Sequence, residues 1–357
     1  MNYQISEQDV GNGLDRSTPF LAKFLELPSV LYRDKERWGA VFSARSVAPR
    51  PAEIILQQIA RFAADTARAF LVCDGVRPVA RAIGYLDTGH SGGEIIGQIG
   101  YFEACEELVA SSMLFEAVVS WLRGRGAARI VGPMDGDTWH RYRLNVGPFD
   151  HPLFFLEPVN PPFYQSLWES FGFRPLEEYY SMRVDDLSEV ATVYSASAEA
   201  MRAQGYQTRA IDLSRFEEEL TLLFTLTTEI FSGNFLYTPI SREEYLKMYL
   251  ELRPLIQPEF LNFVYSPEKV PVGFLFGIPD LCEGAAPRTR NLKTLGITRE
   301  HRRAGLAKGL FADAYRTAFA CGYKSANLCL IRQGNPSGNL DAGKGRTIRT
   351  YLLYELP

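Results

Sequence analysis

Apolar positions recur along this chain with two periods, and the alternation between them lays out the elements. Over 51–70, Ile54, Ile55, Ile59, Phe62 and Ala63 recur near a spacing of 3.6, which predicts an amphipathic helix. Pro51 stands in its first turn, where a missing N–H costs nothing. Over 106–123 the same spacing (Leu108, Met113, Leu114, Ala117, Val118, Trp121) predicts a second helix, with Gly124 just past its end. Between them, 69–73 and 79–85 read as strands joined at Asp74-Gly75, a hairpin signal, and 94–102 as a third strand. Further strands are expected at 129–131, 154–159 and 179–184, with a helix at 160–171 that has prolines in its first turn and stops at Gly172. Residues 19–38 look helical with a break at Pro28, and 1–18 look loose.

The pattern then starts again. Helices are expected at 213–230 and 240–252, and strands at 260–265 and 270–278 around Pro267-Glu268-Lys269. A strand follows at 292–297, then a helix running to Phe319, a strand at 325–331, a Gly-rich segment and a last strand at 346–354. Both halves run helix, hairpin, strand, helix, strand, short helix, strand. That is a doubled architecture with little residue identity between its copies. The expected division is an N-terminal domain at 1–185, a linker at 186–209 and a C-terminal domain at 210–357.

Composition narrows the classes. A chain of 357 residues, 46% hydrophobic and 22% charged, suits two ordinary globular domains. A net charge of −4 and a pI near 5.8 argue against a nucleic-acid or anionic-membrane partner. Five scattered cysteines without a C-x-x-C pair, and four histidines without ligand spacing, predict neither a disulfide framework nor a metal site. The polar N-terminus and the absence of a long apolar run fit a cytoplasmic protein.

Within this acidic chain, 299–305 is locally basic, and Arg302-Arg303-Ala304-Gly305-Leu306-Ala307 sits between a strand and a helix. The first N–H groups of a helix have no partner inside it, and the helix dipole adds partial positive charge. A pyrophosphate fits such a turn, and glycine lets the backbone approach it closely. The plainer reading is a strand-to-helix turn with solvated arginines.

In this order of elements, with R-x-x-G-x-A between the fourth strand and the third helix, the second half resembles the GCN5-related N-acetyltransferase superfamily. The likeness is good over 270–357 and moderate over 205–270. The first half resembles the same fold through Asn160-Pro161-Pro162-Phe163-Tyr164 and Phe171-Gly172-Phe173. With KFLELPSVLYRD, IGYFE, VGPMD and NPPFY, the whole chain is similar to bacterial tandem-domain acetyltransferase-like proteins. The fold class implied is α/β (α+β): two tandem domains, each a mixed, mostly antiparallel twisted sheet flanked by helices.

The resemblance implies acetyl-CoA, or another acyl-CoA, as co-substrate and an amine on a small molecule or amino acid as acceptor. A homodimer is the one protein partner considered. Backbone groups of Leu295, Gly296 and Ile297 would meet the pantetheine, the turn Arg302, Arg303, Ala304, Gly305, Leu306 and Ala307 would hold the pyrophosphate, and Asn335 would contact the pantetheine. The superfamily's usual acid, a Tyr, falls on Ala342 in the second half and on Trp168 in the first. Asp280, with Glu229 behind it, is the candidate base and Tyr354 the candidate acid, although a turn residue and an ordinary strand aromatic are the plainer roles of Asp280 and Tyr354. At the turn of the first half stand Phe102-Glu103-Ala104-Cys105-Glu106-Glu107, three acids and no glycine, so that half is expected to bind no coenzyme. Trp139-His140-Arg141 are candidates to line a second pocket or to be exposed loop residues. A non-catalytic acyl-CoA sensor and a Fem-type aminoacyl-tRNA-dependent peptidyl transferase remain the alternatives to an N-acetyltransferase.

Overall fold

A computed structural model describes residues 2–10, 18–32, 52–87 and 94–357. The chain forms two compact units. Unit 1 comprises Met1–Leu153, Glu157–Glu178 and Tyr351–Pro357; unit 2 comprises Phe154–Leu156 and Tyr179–Thr350.

In unit 1, β1 (Tyr3–Asp9) precedes α1 (Pro19–Leu31) and α2 (Ala52–Ile59). Then come β2 (Ala67–Asp74), β3 (Arg77–Asp87), β4 (Ile96–Ala104), α3 (Leu108–Gly124), β5 (Arg129–Gly132), β6 (Leu144–Gly147) and α4 (Tyr164–Phe171). Strands β1 to β4 pair antiparallel in chain order, and β4 pairs β5 in parallel. The sheet is completed beyond β5 by the end of the chain, where Tyr354 faces Gly132 and Leu356 faces Ile130. Trp168 of α4 is fully buried among Phe102, Phe115, Phe173 and Tyr354. A Cβ on Gly132 would lie 2.5 Å from its ring, so glycine is what lets Trp168 seat against β5.

Unit 2 takes in the end of β7 (Arg174–Val184), then α5 (Leu187–Val193), α6 (Ser195–Ala203), β8 (Gln207–Ala210), α7 (Phe216–Phe231) and α8 (Arg242–Leu250). Strands β9 (Leu261–Tyr265), β10 (Pro271–Pro279) and β11 (Thr289–Ile297) follow, then α9 (Leu306–Ala320), β12 (Ser325–Arg332) and β13 (Arg346–Leu356). The order β8-β9-β10-β11 is antiparallel, β11 pairs β12 in parallel, and Tyr179–Val184 of β7 closes the far side of β12. Helix α9 buries Leu306, Leu310, Phe311, Ala314, Tyr315 and Ala318, spaced three and four apart, against the sheet, α5 and α6. Gly309 permits close approach, because a Cβ there would lie 3.0 Å from the Met201 sulfur of α6.

The fold class read from the sequence is the one observed, and several details differ. Residues 3–9, expected to be loose, form β1, because antiparallel pairing with β2 satisfies the backbone of an otherwise polar segment. Pro28 does not break α1; it packs on the buried face and the helix runs three residues further. The second predicted helix includes Gly124, and Gly126 instead supplies the left-handed residue after it. Residues 154–159 form no strand, since Phe154–Leu156 is tied to unit 2 by side chains there. The segment 186–209 is not a bare linker: α5, α6 and the start of β8 fall within it, and the two helices bury Leu187, Val190, Ala198 and Met201 under α9. The division at 185 and 210 is replaced by an exchange, with unit 1 finished by Tyr351–Pro357. Pro51 lies outside the described residues.

Deleting Tyr351–Pro357 should therefore unfold unit 1, removing the partner of β5 and the Tyr354 ring from Trp168. No tryptophan falls within 179–350, so intrinsic tryptophan fluorescence reports on unit 1. The expected outcome is a red-shifted emission with no cooperative transition, while hydrogen exchange in α9 and β10 stays slow. An unchanged tryptophan transition would contradict the strand's place in unit 1.

Candidate functional site

The site in unit 2 begins with one extra residue. Thr294 faces Phe276 and Leu292 faces Gly277, so Lys293 bulges out of the β10–β11 ladder. Parallel pairing with β12 runs from Thr289–Ser325 to Leu292–Leu328, and among the described residues it stops there. On β12, Leu330 is left-handed (φ 60°), and its N–H donates to the Ser181 hydroxyl at 3.1 Å. Beyond the bulge, Leu295, Gly296 and Ile297 are paired, among the described residues, to β10 alone. A Cβ on Gly296 would lie 2.8 Å from the Phe274 ring of β10 and 3.0 Å from Cδ1 of Ile230 of α7, so glycine lets both pack there.

The strand leads straight into the basic turn. Thr298 and His301 close it through a backbone bond of 3.0 Å and an Oγ1···Nδ1 contact of 3.0 Å. Arg302 is exposed, yet its guanidinium donates to the Ile297 carbonyl (3.2 Å) and the Ile230 carbonyl (3.4 Å), tying the turn to β11 and α7. Residues 299–304 coil as a 3-10 helix rather than a simple turn. Gly305 is left-handed (φ 72°), exposed, has nothing within 4 Å of where a Cβ would stand, and begins α9 with no side-chain cap. Leu306 and Ala307 thus open the helix with backbone N–H groups that no capping side chain takes. Asn335 is exposed and caps the next turn through Ser337 N–H at 2.9 Å.

The acid and base candidates are dispersed. Asp280 is buried at the end of β10 and accepts N–H bonds from Phe155 (2.8 Å) and Cys282 (3.2 Å). Burial pushes its carboxyl above the usual range, against those two donors. Glu229 is exposed in the last turn of α7, next to the residue that packs on Gly296. Tyr354 lies in unit 1 rather than unit 2, fully buried, its hydroxyl donating to Glu169 at 3.0 Å, and burial raises its pKa. The backbone N–H of Ala342, where the superfamily's acid would stand, donates to the Tyr194 hydroxyl at 3.0 Å.

In unit 1 the corresponding opening is filled by the chain itself. Strands β4 and β5 pair only from Ile96–Arg129 to Gln98–Val131, and Tyr101 is left-handed (φ 51°). Into the gap past them, Met134 N–H donates to the Ile99 carbonyl (2.8 Å) and Tyr101 N–H to the Asp135 carboxylate (2.6 Å). A Cβ on Gly100 would run into the Met134 carbonyl.

Around this plug stands a polar constellation that the sequence reading reached only at Trp139-His140-Arg141 and at Glu103. Glu103 is buried and accepts the Tyr32 (2.7 Å) and Tyr164 (2.8 Å) hydroxyls. The Arg141 guanidinium lies 3.7 Å from Glu103 and 3.5 Å from Asp135. Asp137 takes the Trp139 and His140 N–H groups (2.8 and 2.9 Å), the His140 ring at 2.8 Å and the Arg61 guanidinium. Burial alone would raise Asp137, but His140 and Arg61 outweigh it and lower it to about 2. The available signal was density: 133–143 reads P-M-D-G-D-T-W-H-R-Y-R, too polar and aromatic for an idle loop.

Solved structures settle the fold. The chain matches a tandem protein of that superfamily from the clavulanic acid biosynthesis pathway over 99% of its own length and 98% of the other, at TM-score 0.54 and 10% identity. It matches a GCN5-related N-acetyltransferase from Sphaerobacter thermophilus over 99% and 95%, at TM-score 0.52 and 14% identity. The fold is that of the GCN5-related N-acetyltransferases, in tandem. No protein-family model matches the chain. By sequence it is 24% identical over 247 residues to a bacterial ceramide synthase of Caulobacter vibrioides, covering 68% of this chain and 63% of that protein. It is also 24% identical over 292 residues to protein YghO of Escherichia coli, covering 77% and 70%. Among the described residues no helix is long and apolar enough to cross a membrane, and no cluster of His, Cys, Asp or Glu is arranged to hold a metal.

The Asp137 cluster gives a pH signature with a definite sign. A carboxyl lowered to about 2 in the folded state stabilises the fold wherever it is ionised in both states, and the contribution fades as pH falls from about 4 toward 2. Asp137→Asn should lower the melting temperature at pH 5.5, where the carboxyl is ionised in both states. The gap to the parent should narrow at pH 3, read by tryptophan fluorescence. A gap that widened in acid would show the assignment reversed.

Proposed function

We propose that the protein is an acyl-CoA-dependent N-acyltransferase, with unit 2 binding the acyl thioester and acting on the amine of a small molecule. One juxtaposition carries the reading. A strand paired on one side only, Leu295–Ile297, runs into an exposed, uncapped helix start at Gly305. The unpaired edge can bond an amide-bearing pantetheine as an added strand, and the helix start can take the pyrophosphate. Arg302 holds the two parts in one frame through the Ile297 and Ile230 carbonyls. Acetyl-CoA is the first thioester to test.

In the reaction the amine nitrogen bonds to the thioester carbon, the C–S bond breaks, and the ammonium proton leaves to a base. Backbone N–H groups of β11 past the bulge are donors for the developing oxyanion. Of the candidate carboxylates we assign the proton to Glu229, exposed on the helix that packs over Gly296; Asp280 is committed to two backbone N–H groups. The likeness to a ceramide synthase extends the acceptor panel to long-chain amino alcohols, the class of amine that an N-acyl chain turns into a ceramide. A non-catalytic acyl-CoA-binding role is the second reading, favoured by Tyr354 being held by Glu169 in unit 1.

Calorimetry with acetyl-CoA and a thiol-release assay over amines test the two readings together. Gly305→Trp should abolish coenzyme binding. The left-handed backbone costs about 1–2 kcal/mol with a side chain, but the space is open, so the fold survives. Glu229→Gln should lower kcat by about 10²-fold or more, at the scale of general-base catalysis, with coenzyme affinity unchanged. Coenzyme binding with no thiol release over the whole panel leaves the sensor, and no coenzyme binding refutes both.

A further inference from the structure

Phenols from three elements of unit 2 reach the segment 336–342, and one of them keeps its proton unshared. Tyr194, between α5 and α6, donates to the Asn339 carbonyl at 2.8 Å and accepts the Ala342 N–H at 3.0 Å. Tyr315 of α9 is fully buried and donates to the Leu340 carbonyl at 3.3 Å. Tyr180 of β7 is half-buried, and among the described residues its oxygen makes no hydrogen bond. It pairs with Ile331 of β12, on the stretch past Leu328 where the pairing of β12 with β11 has ended. Its side chain packs on the core beneath α9, the side of the sheet on which that helix opens at Gly305. The phenol leans over β12. A Cβ on Gly338 would run into the Tyr180 oxygen and lie 4.0 Å from the Ile331 Cγ2 methyl. Glycine at 338 therefore admits the phenol to a strand that borders the opening. Burial and the Asp341 charge raise its pKa, so it stays protonated at neutral pH.

We propose that Tyr180 is the catalytic acid of unit 2, giving its phenolic proton to the sulfur that leaves the thioester. The assignment rests on unit 2 being the acyl-transfer unit. Cleaving the C–S bond leaves a thiolate, and a thiol holds its proton below about pH 8.5, so the departing sulfur takes one up. As the amine nitrogen bonds the thioester carbon, the C–S electron pair stays on sulfur and the Tyr180 O–H proton moves there. The products are an amide and a free thiol. The phenolate regains its proton from water at the exposed side of the ring, and Glu229 takes the one lost by the ammonium. Phenol and thiol, ordinarily near 10 and 8.5, lie close enough for that transfer to run near balance. Tyr194 and Tyr315 have their protons committed to carbonyls of the segment, which leaves Tyr180 as the donor.

Tyr180→Phe removes an oxygen that bonds nothing in the fold, so its melting temperature by circular dichroism should equal the parent's. With an amine found in the thiol-release panel, kcat should fall about 10²-fold and KM for acetyl-CoA should stay. A second readout needs no turnover. Coenzyme A and acetyl-CoA are titrated by calorimetry at pH 7 and pH 9.5, and the ratio of their affinities is taken. A bound thiolate accepts the phenol's hydrogen bond, so the ratio should rise about tenfold more in the parent than in Tyr180→Phe. Gly338→Ala, at a backbone that is not left-handed, pushes the phenol aside and should reproduce part of both losses. Tyr194→Phe should lower the melting temperature and keep the parent's ratio. Parental kcat or a parental ratio in Tyr180→Phe overturns the proposal. So does an equal loss in Tyr194→Phe, which would make Tyr180 a support of the segment. If neither thioester nor thiol binds the parent, the acyltransferase reading itself falls; binding with an unaltered ratio sinks the Tyr180 assignment alone.

Discussion

A single inserted residue governs what unit 2 presents. Lys293 breaks the register of β11, and parallel pairing with β12 ends at Leu292. A backbone edge inside a folded domain must be satisfied by chain, water or ligand, since an orphaned buried peptide group costs roughly 1–3 kcal/mol. Everything nearby serves that edge. Ser181 of β7 takes the Leu330 N–H on the far side of β12, Arg302 pins the exit of the strand, and Gly305 turns the chain so that α9 starts where β11 ends. The opening is thus part of the sheet's geometry, held by α9 packed on α5 and α6.

Unit 1 meets the same demand with its own residues. The carbonyl of Ile99 and the N–H of Tyr101, groups of the kind that a ligand would take in unit 2, are bonded by Met134 and Asp135. Doing so brings carboxylates into a buried sheet, and these need cations. Arg141 and Arg61 answer, with Tyr32 and Tyr164 donating to Glu103. The polar density of 133–143 is therefore the direct consequence of closing an edge from within.

Much of this was legible in the residues. Period and turn chemistry placed α3, the hairpin at Gly75, α9 and the basic turn, because those segments carry strong local signals: an apolar stripe, a left-handed glycine, a helix start. The strand β1 was not legible, since YQISEQD is mostly polar and exposed and its existence rests on pairing with β2 about sixty to seventy residues away. The helices within 186–209 were hidden for a related reason: α6 is short and small-sided, and what fixes it is the Met201–Gly309 contact. The basic turn at Arg302–Ala307 could be read from a pattern of six residues. The Glu103 and Arg141 pairing could not, because it joins a strand to a loop nearly forty positions later and no spacing rule foretells it.

The exchange of strands has a bearing on how the molecule is made. A polypeptide leaves the ribosome from its N-terminus, and domains generally fold as they emerge. Here β5 gains its second neighbour only from Tyr351–Leu356, so while residues 179–350 are being synthesised unit 1 waits with an open sheet edge and the Trp168 pocket unsealed. Unit 2 has its whole sheet in hand first. The half of the chain made second is therefore the half able to fold first, and a nascent unit 1 with the outer edge of β5 open is the form a chaperone would meet.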